Sequence, residues 1–341
     1  MTARLRIGAC LSLTGKFGRF GRQAAAGLEA WRSLSGEVEL VIEDDRSDRH
    51  ELAAVLPGVA ARCDLLLGPY STVLMRAAGR MAAEHGWLAW NHGGSGDDVQ
   101  TAHPGHVVSV LTPTSRYAEP FLRHIAAGEP AELVIVCGKG SFGRQVADGA
   151  AATAAQLGIH ATRVGPDDAL TCHGRWDLLS AGAFEDDASQ TARALKLTRP
   201  PRRICAVAAG VREFSQAVDG PEGVFGIAQW FPGSTSDVAT GPAEREFLRT
   251  YGAKSGGHPD YPAVQAAASA ALATHCAELA GTTRPGDLWA AAASLEVSTL
   301  FGAFGIDRRT GAQVKHRTVL VRWADGELTM PAGGNDRTMP A

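Results

Sequence analysis

The sequence predicts an α/β protein of two similar lobes in series, each wound around a parallel sheet. Three observations lead there. Short aliphatic and β-branched runs alternate with alanine-rich stretches of helical spacing through the first two-thirds of the chain. The alternation starts afresh at ELVIVCG (132–138), after one complete series. Finally, 341 residues are more than one ordinary core organises, so two lobes are expected.

In the first series, LRIGACLSL, VELVIEDD, CDLLLGP, GWLAWNH and HVVSVLTP read as strands. QAAAGLEAWRSL and TVLMRAAGRMAAEHG, between them, repeat apolar residues every three or four positions, the helical period. Strands separated by helices of that length imply right-handed βαβ crossovers. In the second series, ELVIVCG leads into the helical GRQVADGAAATAAQLG; IHATRVG, WDLLSAG, RRICAVAAG and VFGIAQW follow. After residue 240 three helices run in succession: PAEREFLRTYG, YPAVQAAASAALATHCAELAG and RPGDLWAAAASLE. FGAFGID comes next, then HRTVLVRWADGELT, a hairpin turning at Asp325-Gly326. The closing PAGGNDRTMPA is rich in glycine and polar residues and reads as a frayed tail.

Composition narrows the function classes. Hydrophobic residues make up 45% and charged residues 20%, the balance of a globular protein in water. The net charge is −3 and no basic run occurs, which argues against a nucleic-acid partner. No apolar stretch reaches the ~18 residues of a membrane span, so no membrane insertion is expected. MTARLRIGAC passes into a strand without the charged start, apolar core and cleavage site of a secretory leader. The six cysteines, Cys10, Cys63, Cys137, Cys172, Cys205 and Cys276, are singly spaced with no C-x-x-C pair, so neither a zinc site nor a redox motif is signalled and a reducing compartment is favoured.

Four segments could hold chemistry. The glycine-rich turn LTGKFGRFGRQ joins a strand to a helix, as phosphate-binding loops do. Phe17 follows Gly15-Lys16 where a P-loop needs Ser or Thr, and Gly15, Gly18 and Gly21 lack the G-x-G-x-x-G spacing. Glu43, Asp44 and Asp45 stand where a ribose-binding acid would, although acids there more often cap the next turn. CGKGSFGRQ has Lys139 where a nucleophile elbow around Ser141 needs a small residue. His103 and His106, with His85 and His92 nearby in sequence, lie around a Pro-Gly turn rather than at helical ligand spacing, so no metal is expected. LLLGPYSTVLMR and LAWNHGGSGDDV are different: each is a buried strand ending in a small or hydroxyl-bearing turn. Ligands of open parallel sheets bind beyond the carboxyl ends of the strands. Tyr70, Ser71, Thr72, Gly93 and Ser95 would therefore gather N–H groups and hydroxyls at one edge, suited to a carboxylate or amide. Ordinary turn chemistry favours the same residue types.

With these segments in place, the chain resembles the type I periplasmic (solute-)binding proteins, specifically the branched-chain amino acid and amide-binding group typified by leucine/isoleucine/valine-binding proteins. The likeness covers nearly the whole chain. It rests on IGACLSLTGKFGRFGRQAAAGLEA, IEDDRSD, LLLGPYST, LAWNHGG, GSFGRQ, PDYPAVQAA and FGAFGIDRRTGAQ, in that order and spacing. It implies two Rossmann-like lobes with parallel sheets joined by three hinge crossovers, near residues 112–118, 232–240 and 300–307. Lobe one would comprise 1–114 and 238–303, lobe two 115–237 and 304–330, with a flexible tail at 331–341.

The resemblance also implies a site in the cleft between the lobes. Phe20 matches the aromatic position over the ligand, and Ser71-Thr72 with Gly93 to Ser95 match the carboxylate-binding turns. Phe142 matches a second-lobe aromatic position and Val211 lies near another. Gln229, with Trp230 beside it, falls where an acid often holds a ligand ammonium. An amide there offers only a dipole, about half the strength of a charge-assisted bond. That favours a neutral amide or an aromatic or aliphatic carboxylate over a zwitterion, aided by Phe20, Trp90, Phe142 and Trp230. The implied function is non-catalytic binding of a small amino-acid-like, amide or carboxylate ligand, without cofactor or metal, as the substrate-binding component of an ABC transporter. The alternative is a cytoplasmic ligand sensor acting on a regulatory partner. An α/β enzyme would need a nucleophile–base pair that the sequence does not display. Removal of a leader implies an extracytoplasmic protein; a native start at Met1 implies a cytoplasmic one.

Overall fold

A computed structural model describes residues 4–129, 131–170, 174–235 and 237–331; Cys172 and the tail residues 332–341 lie outside them. In chain order the elements are β1 (Leu5–Leu11), α1 (Gly18–Leu34), β2 (Val38–Asp44), α2 (Arg49–Ala60), β3 (Leu65–Leu67), α3 (Thr72–His85), β4 (Ala89–Asn91), α4 (Asp97–Thr101) and β5 (Val107–Ser109). Then come α5 (Glu119–Ala126), β6 (Glu132–Cys137), α6 (Gly140–Gln156), β7 (Ala161–Val164), β8 (Trp176–Ala181), α7 (Phe184–Leu195), β9 (Ile204–Ala206), α8 (Phe214–Ala217) and β10 (Phe225–Ala228). The chain closes with α9 (Glu244–Ser255), α10 (Tyr261–Ala280), α11 (Pro285–Ser294), β11 (Val297–Thr299), β12 (Gly302–Phe304), β13 (Val319–Ala324) and β14 (Glu327–Thr329).

Two compact units result, each made of two stretches of chain: Met1–Pro113 with Trp230–His316, and Thr114–Gln229 with Arg317–Ala341. The first holds a five-stranded parallel sheet of order β2-β1-β3-β4-β5, and β11 pairs with β12 beside it in the chain. Side chains alternate across this sheet with the strand period of two. Ile7, Ala9 and Leu11 pack with α1 and α10 on one face, and Cys10 packs with α2 and α3 on the other. The second unit's sheet runs β14-β13-β10-β9-β8-β6-β7, parallel from β10 onward and closed at one edge by the antiparallel β13–β14 hairpin. Leu133 and Ile135 meet α5 and α6, whereas Val134 and Val136 meet the α7 side. The α/β class with parallel sheets in two units is thus the architecture read from the pattern.

The second and third crossings between units fall elsewhere than the stretches 232–240 and 300–307. The chain passes between Gln229 and Trp230, and between His316 and Arg317. Residues 305–316 stay with the first unit because buried polar bonds tie them there. Gln313 Nε2 donates to the Val110 carbonyl (3.1 Å) and its N–H to Gln100 Oε1 (3.1 Å). His316 stacks on Phe301 at 4.1 Å, with its ring nitrogens bonded to Thr112 Oγ1 (2.6 Å) and the Phe301 carbonyl (3.0 Å).

Helix α1 starts at Gly18, a turn before the expected Gln23, so most of the glycine-rich stretch is helix. Two of its glycines serve close packing. A Cβ on Gly21 would lie 2.0 Å from the Ser12 carbonyl oxygen, and one on Gly27 would lie 2.1 Å from that of Ala263 in α10. Helix α10 is buried without a break from Pro262 to Ala273, capped by Asp260, which accepts from Tyr261 N–H, and by left-handed Gly281. Gly27→Val should therefore force α1 from α10 and lower stability in urea by about 1–3 kcal/mol or more. Gly58, inside α2 with open space at its Cβ, is the contrast. Gly58→Ala should raise stability by roughly 0.5–1 kcal/mol, measured in the same titration.

Candidate functional site

The first unit's strand ends carry the glycine-rich turn, and acidic residues hold it. Asp44 accepts from the N–H groups of Leu13 (2.9 Å), Thr14 (3.2 Å) and Arg46 (2.9 Å) and from the Thr14 hydroxyl (2.6 Å). Burial opposes its ionisation, but these bonds outweigh it and hold its carboxyl below the ordinary range. Asp45 is wholly buried, accepting from Ser12 Oγ (2.6 Å) and Ser47 N–H (2.9 Å), and burial pushes its pKa up. Glu43 pairs with Arg62 at 2.7 Å. The three acids are thus engaged within the unit, and Asp44 and Asp45 hold the turn.

Beyond β3 and β4 lies the hydroxyl-bearing edge. Ser71 caps α3, its Oγ accepting from Leu74 N–H (3.3 Å), while its own N–H donates to the Gly93 carbonyl (3.1 Å). Thr72 opens α3 and accepts from Gly96 N–H (3.2 Å). Gly93 and Gly94 donate to Asn91 Oδ1 at 3.2 and 2.8 Å. The N–H groups of Ser71 and Gly93, two of the donors expected to face a ligand, are thus spent inside the turn. The Ser71 and Thr72 hydroxyls, acceptors in these bonds, keep their own protons to donate. Ser95 is buried in the same turn, its carbonyl accepting from Gln100. Beside it, the Tyr70 ring stacks on Phe20 (4.7 Å, 10°), and its hydroxyl bonds that of Tyr261 (2.7 Å). The Arg19 guanidinium lies 4.6 Å over Phe20 and 4.0 Å from Asp260. The structure brings Phe20, Tyr70, Ser71, Thr72, Gly93 and Ser95 together on this unit.

Two sequence-expected residues stand elsewhere. Trp90 and Trp230 are buried in the first unit's core, and neither indole N–H finds a protein acceptor among the described residues. Trp90 points inward because alternation along β4 sends it to the α1–α10 face. Phe142, Val211 and Gln229 belong to the second unit. Phe142 sits half-buried in the first turn of α6, edge-on to Tyr117 (5.7 Å, 77°). Val211 closes a 3₁₀ turn at residues 207–210. Gln229 follows β10, buried, its Oε1 without a protein donor among the described residues.

Asn91 and Tyr261 were not singled out from sequence. Asn91 is signalled by glycines two and three positions on, the pattern of an Asx turn. Tyr261 follows the capping Asp260 in PDYPAVQAA, but nothing local places it beside Tyr70. His106 bonds the Trp87 carbonyl (2.9 Å), and among the described residues no cluster of His, Cys, Asp and Glu could hold a metal ion. Cys10, Cys63, Cys137, Cys205 and Cys276 are free, and burial raises Cys10 and Cys276 to about 12. No described helix is long and apolar enough to cross a membrane.

A family model described as periplasmic binding protein matches residues 4–169 and 178–327. No curated protein matches the chain. Among solved structures, a leucine binding protein from Thermotoga maritima has a TM-score of 0.76 at 18% identity, covering 96% of this chain and 97% of that one. A branched-chain amino acid transporter substrate-binding protein from Streptococcus pneumoniae, in complex with isoleucine, has a TM-score of 0.74 at 15% identity and covers 95% and 97%. An ABC-transporter solute-binding protein from Rhodopseudomonas palustris, in complex with 3,4-dihydroxybenzoic acid, has a TM-score of 0.75 at 16% identity and covers 95% and 94%. At these identities the structural likeness is one of fold.

Strand ends of the second unit hold a titrating group. Asp187 is wholly buried in the first turn of α7, accepting from Ser180 Oγ (2.7 Å) and Ala208 N–H (2.8 Å). Burial dominates those bonds and lifts its pKa to about 8. The folded state then keeps a proton that the unfolded state releases near pH 4. Stability should fall as pH rises through that window, by up to about 1.4 kcal/mol per unit, and level off above 8. Asp187→Asn should flatten the fall in urea titrations between pH 5 and 8; an unchanged slope assigns it to other groups.

Proposed function

This chain belongs to the periplasmic binding protein family, and on that premise we propose that it is the solute-binding component of an ABC transporter. It holds a small carboxylate, without chemical change, at the strand ends of its first unit. The observation that supports this most is the pair of Ser71 and Thr72 hydroxyls at the start of α3. Both keep a proton to donate, and they sit at the end of a fourteen-residue helix, where the helix dipole favours negative charge. Phe20, Tyr70 and Tyr261 supply apolar surface next to them. Isoleucine and 3,4-dihydroxybenzoic acid, named in the complexes of two structural neighbours, share a carboxylate and an apolar body.

Gln229 selects within that class. It is the second-unit residue proposed, with Phe142 and Val211, to meet the ligand, and it is neutral. A ligand ammonium would lack a charge-assisted partner there. The reading therefore favours an aromatic or aliphatic carboxylate, or a neutral amide, over a zwitterionic amino acid. The partner that receives the ligand would be the transporter's permease.

A thermal-shift screen with benzoate, 3,4-dihydroxybenzoate, L-leucine and L-isoleucine tests the class. A binder at about 100 times its Kd adds roughly 2.7 kcal/mol to stability. Replacing Ser71 and Thr72 together with alanine should weaken the best binder at least tenfold, since each bond to a charged group contributes about 1.5–3 kcal/mol. The ligand-free protein should lose about 1–2 kcal/mol as well, because the Ser71 side chain caps α3. Undiminished affinity would place the carboxylate elsewhere.

Gln229→Glu separates the ligand classes by calorimetry. A ligand without an ammonium should bind more weakly, because a carboxylate is buried with no cation. Tighter binding would return the ligand to the zwitterionic amino acids.

A further inference from the structure

Ser71 has φ 90° and ψ 145°, a region that L residues avoid and glycine tolerates. Among the described residues, the other non-glycine ones with positive φ, Arg46, Ser47 and Asp325, lie at 52°, 61° and 54°, within the ordinary left-handed range. A strained residue persists only when its surroundings over-determine it. What surrounds Ser71 begins at a side chain one strand away.

Asn91, the last residue of β4, is wholly buried, and its side chain makes four hydrogen bonds. Nδ2 donates to the Gly94 carbonyl (2.8 Å) and to Ser109 Oγ (2.8 Å), while Oδ1 accepts from the N–H groups of Gly93 (3.2 Å) and Gly94 (2.8 Å). Its main chain is held too, the Asn91 carbonyl accepting from Val110 N–H (3.0 Å). The 93–94 turn is thereby fixed to the sheet, and the Gly93 carbonyl is aimed at Ser71 N–H (3.1 Å). On the far side, Met75 N–H donates to the Ser71 carbonyl (2.9 Å), as the first turn of α3 requires. Ser71 is thus gripped at its N–H from β4 and at its carbonyl from α3, and the strained backbone is the one that satisfies both.

We propose that Asn91 is a positioning residue that locks Ser71 in its strained backbone and so fixes the direction of the Ser71 hydroxyl. Glycine at position 71 would relax the strain but remove the hydroxyl, and at a helix N-cap glycine is nearly as good as serine. Stability and binding should therefore move in opposite directions on that substitution, as they do where strain is kept for function. The affinity arm rests on the carboxylate reading; the lock itself does not.

The test is a double-mutant cycle on the full chain without ligand. Ser71→Gly should raise Tm by about 2–4 °C. In an Asn91→Ser background, where the turn is released, the same change should raise it by about 0–1 °C, because the strain has already relaxed. A fall in Tm for Ser71→Gly, or an equal gain in both backgrounds, overturns the lock. Should Asn91→Ser not fold, amide exchange in the unmutated protein decides: the N–H groups of Ser71 and Gly94 should exchange with core-like protection, and loop-like rates overturn the proposal. Benzoate and L-isoleucine are the binding probes. Whichever binds should weaken at least tenfold in Ser71→Gly although that variant is the more stable. Unmoved affinity alongside intact thermal coupling would leave the lock standing and remove Ser71 from the carboxylate site.

Discussion

The pairing of α1 with α10 is the contact on which the first unit depends. The Gly27 main chain lies so close to the Ala263 carbonyl that no side chain fits between the helices. That approach lets α10 be buried without a break from Pro262 to Ala273, with Val264 and Leu272 each contributing about 1.5–3 kcal/mol. It also explains why the chain returns to this unit after residue 230: a helix buried in this way needs a layer on both sides. The sheet with α1 supplies one, and α11 helps supply the other. The amino-terminal end of α10 then brings Tyr261 to Tyr70 and Phe20. One close contact thus completes the core and puts an aromatic group beside the hydroxyls of α3.

The strand ends follow a consistent rule about donors. Backbone N–H groups at the ends of parallel strands lose their ladder partners and must find others. Here nearby side chains take them: Asp44 for residues 13, 14 and 46, Asn91 for 93 and 94, Thr72 for 96 and Ser71 for 74. The hydroxyl protons of Ser71 and Thr72 are left over by these bonds. Such a surface is pre-organised, because the groups presented outward are held by bonds that the ligand does not break.

Both units also bury a carboxyl group against a serine at these ends, Asp45 with Ser12 and Asp187 with Ser180. In each, one oxygen takes the serine hydroxyl, and backbone N–H groups supply further donors: Ser47 to Asp45, Ala208 to Asp187. Burial raises both carboxyls despite those donors. The two groups tie the loop after one strand to its neighbour, which keeps the ends of the sheets stiff.

The alternating runs of LRIGACL and LLL, the helical spacing of the alanine-rich segments and the Asp325-Gly326 hairpin could all be read from sequence, because strand and helix periods and turn chemistry are local. The failed glycine spacing of GKFGRFGR was legible for the same reason, as were the hydroxyls of Ser71 and Thr72 at a strand end. Local signals alone could not place Trp90 and Trp230 in the core, since an aromatic residue beside a turn has the same sequence whether it faces ligand or interior. Nor could they hold residues 305–316 in the first unit, which depends on Gln313 reaching Gln100 and Val110 across some two hundred positions. Tyr261 beside Tyr70, and Ser71 forced to positive φ by a carbonyl at Gly93, are likewise contacts between distant segments. The sequence by itself determined the layers and the chemical character of the strand ends. Only tertiary packing decided which of those groups satisfy one another and which keep a proton for something else.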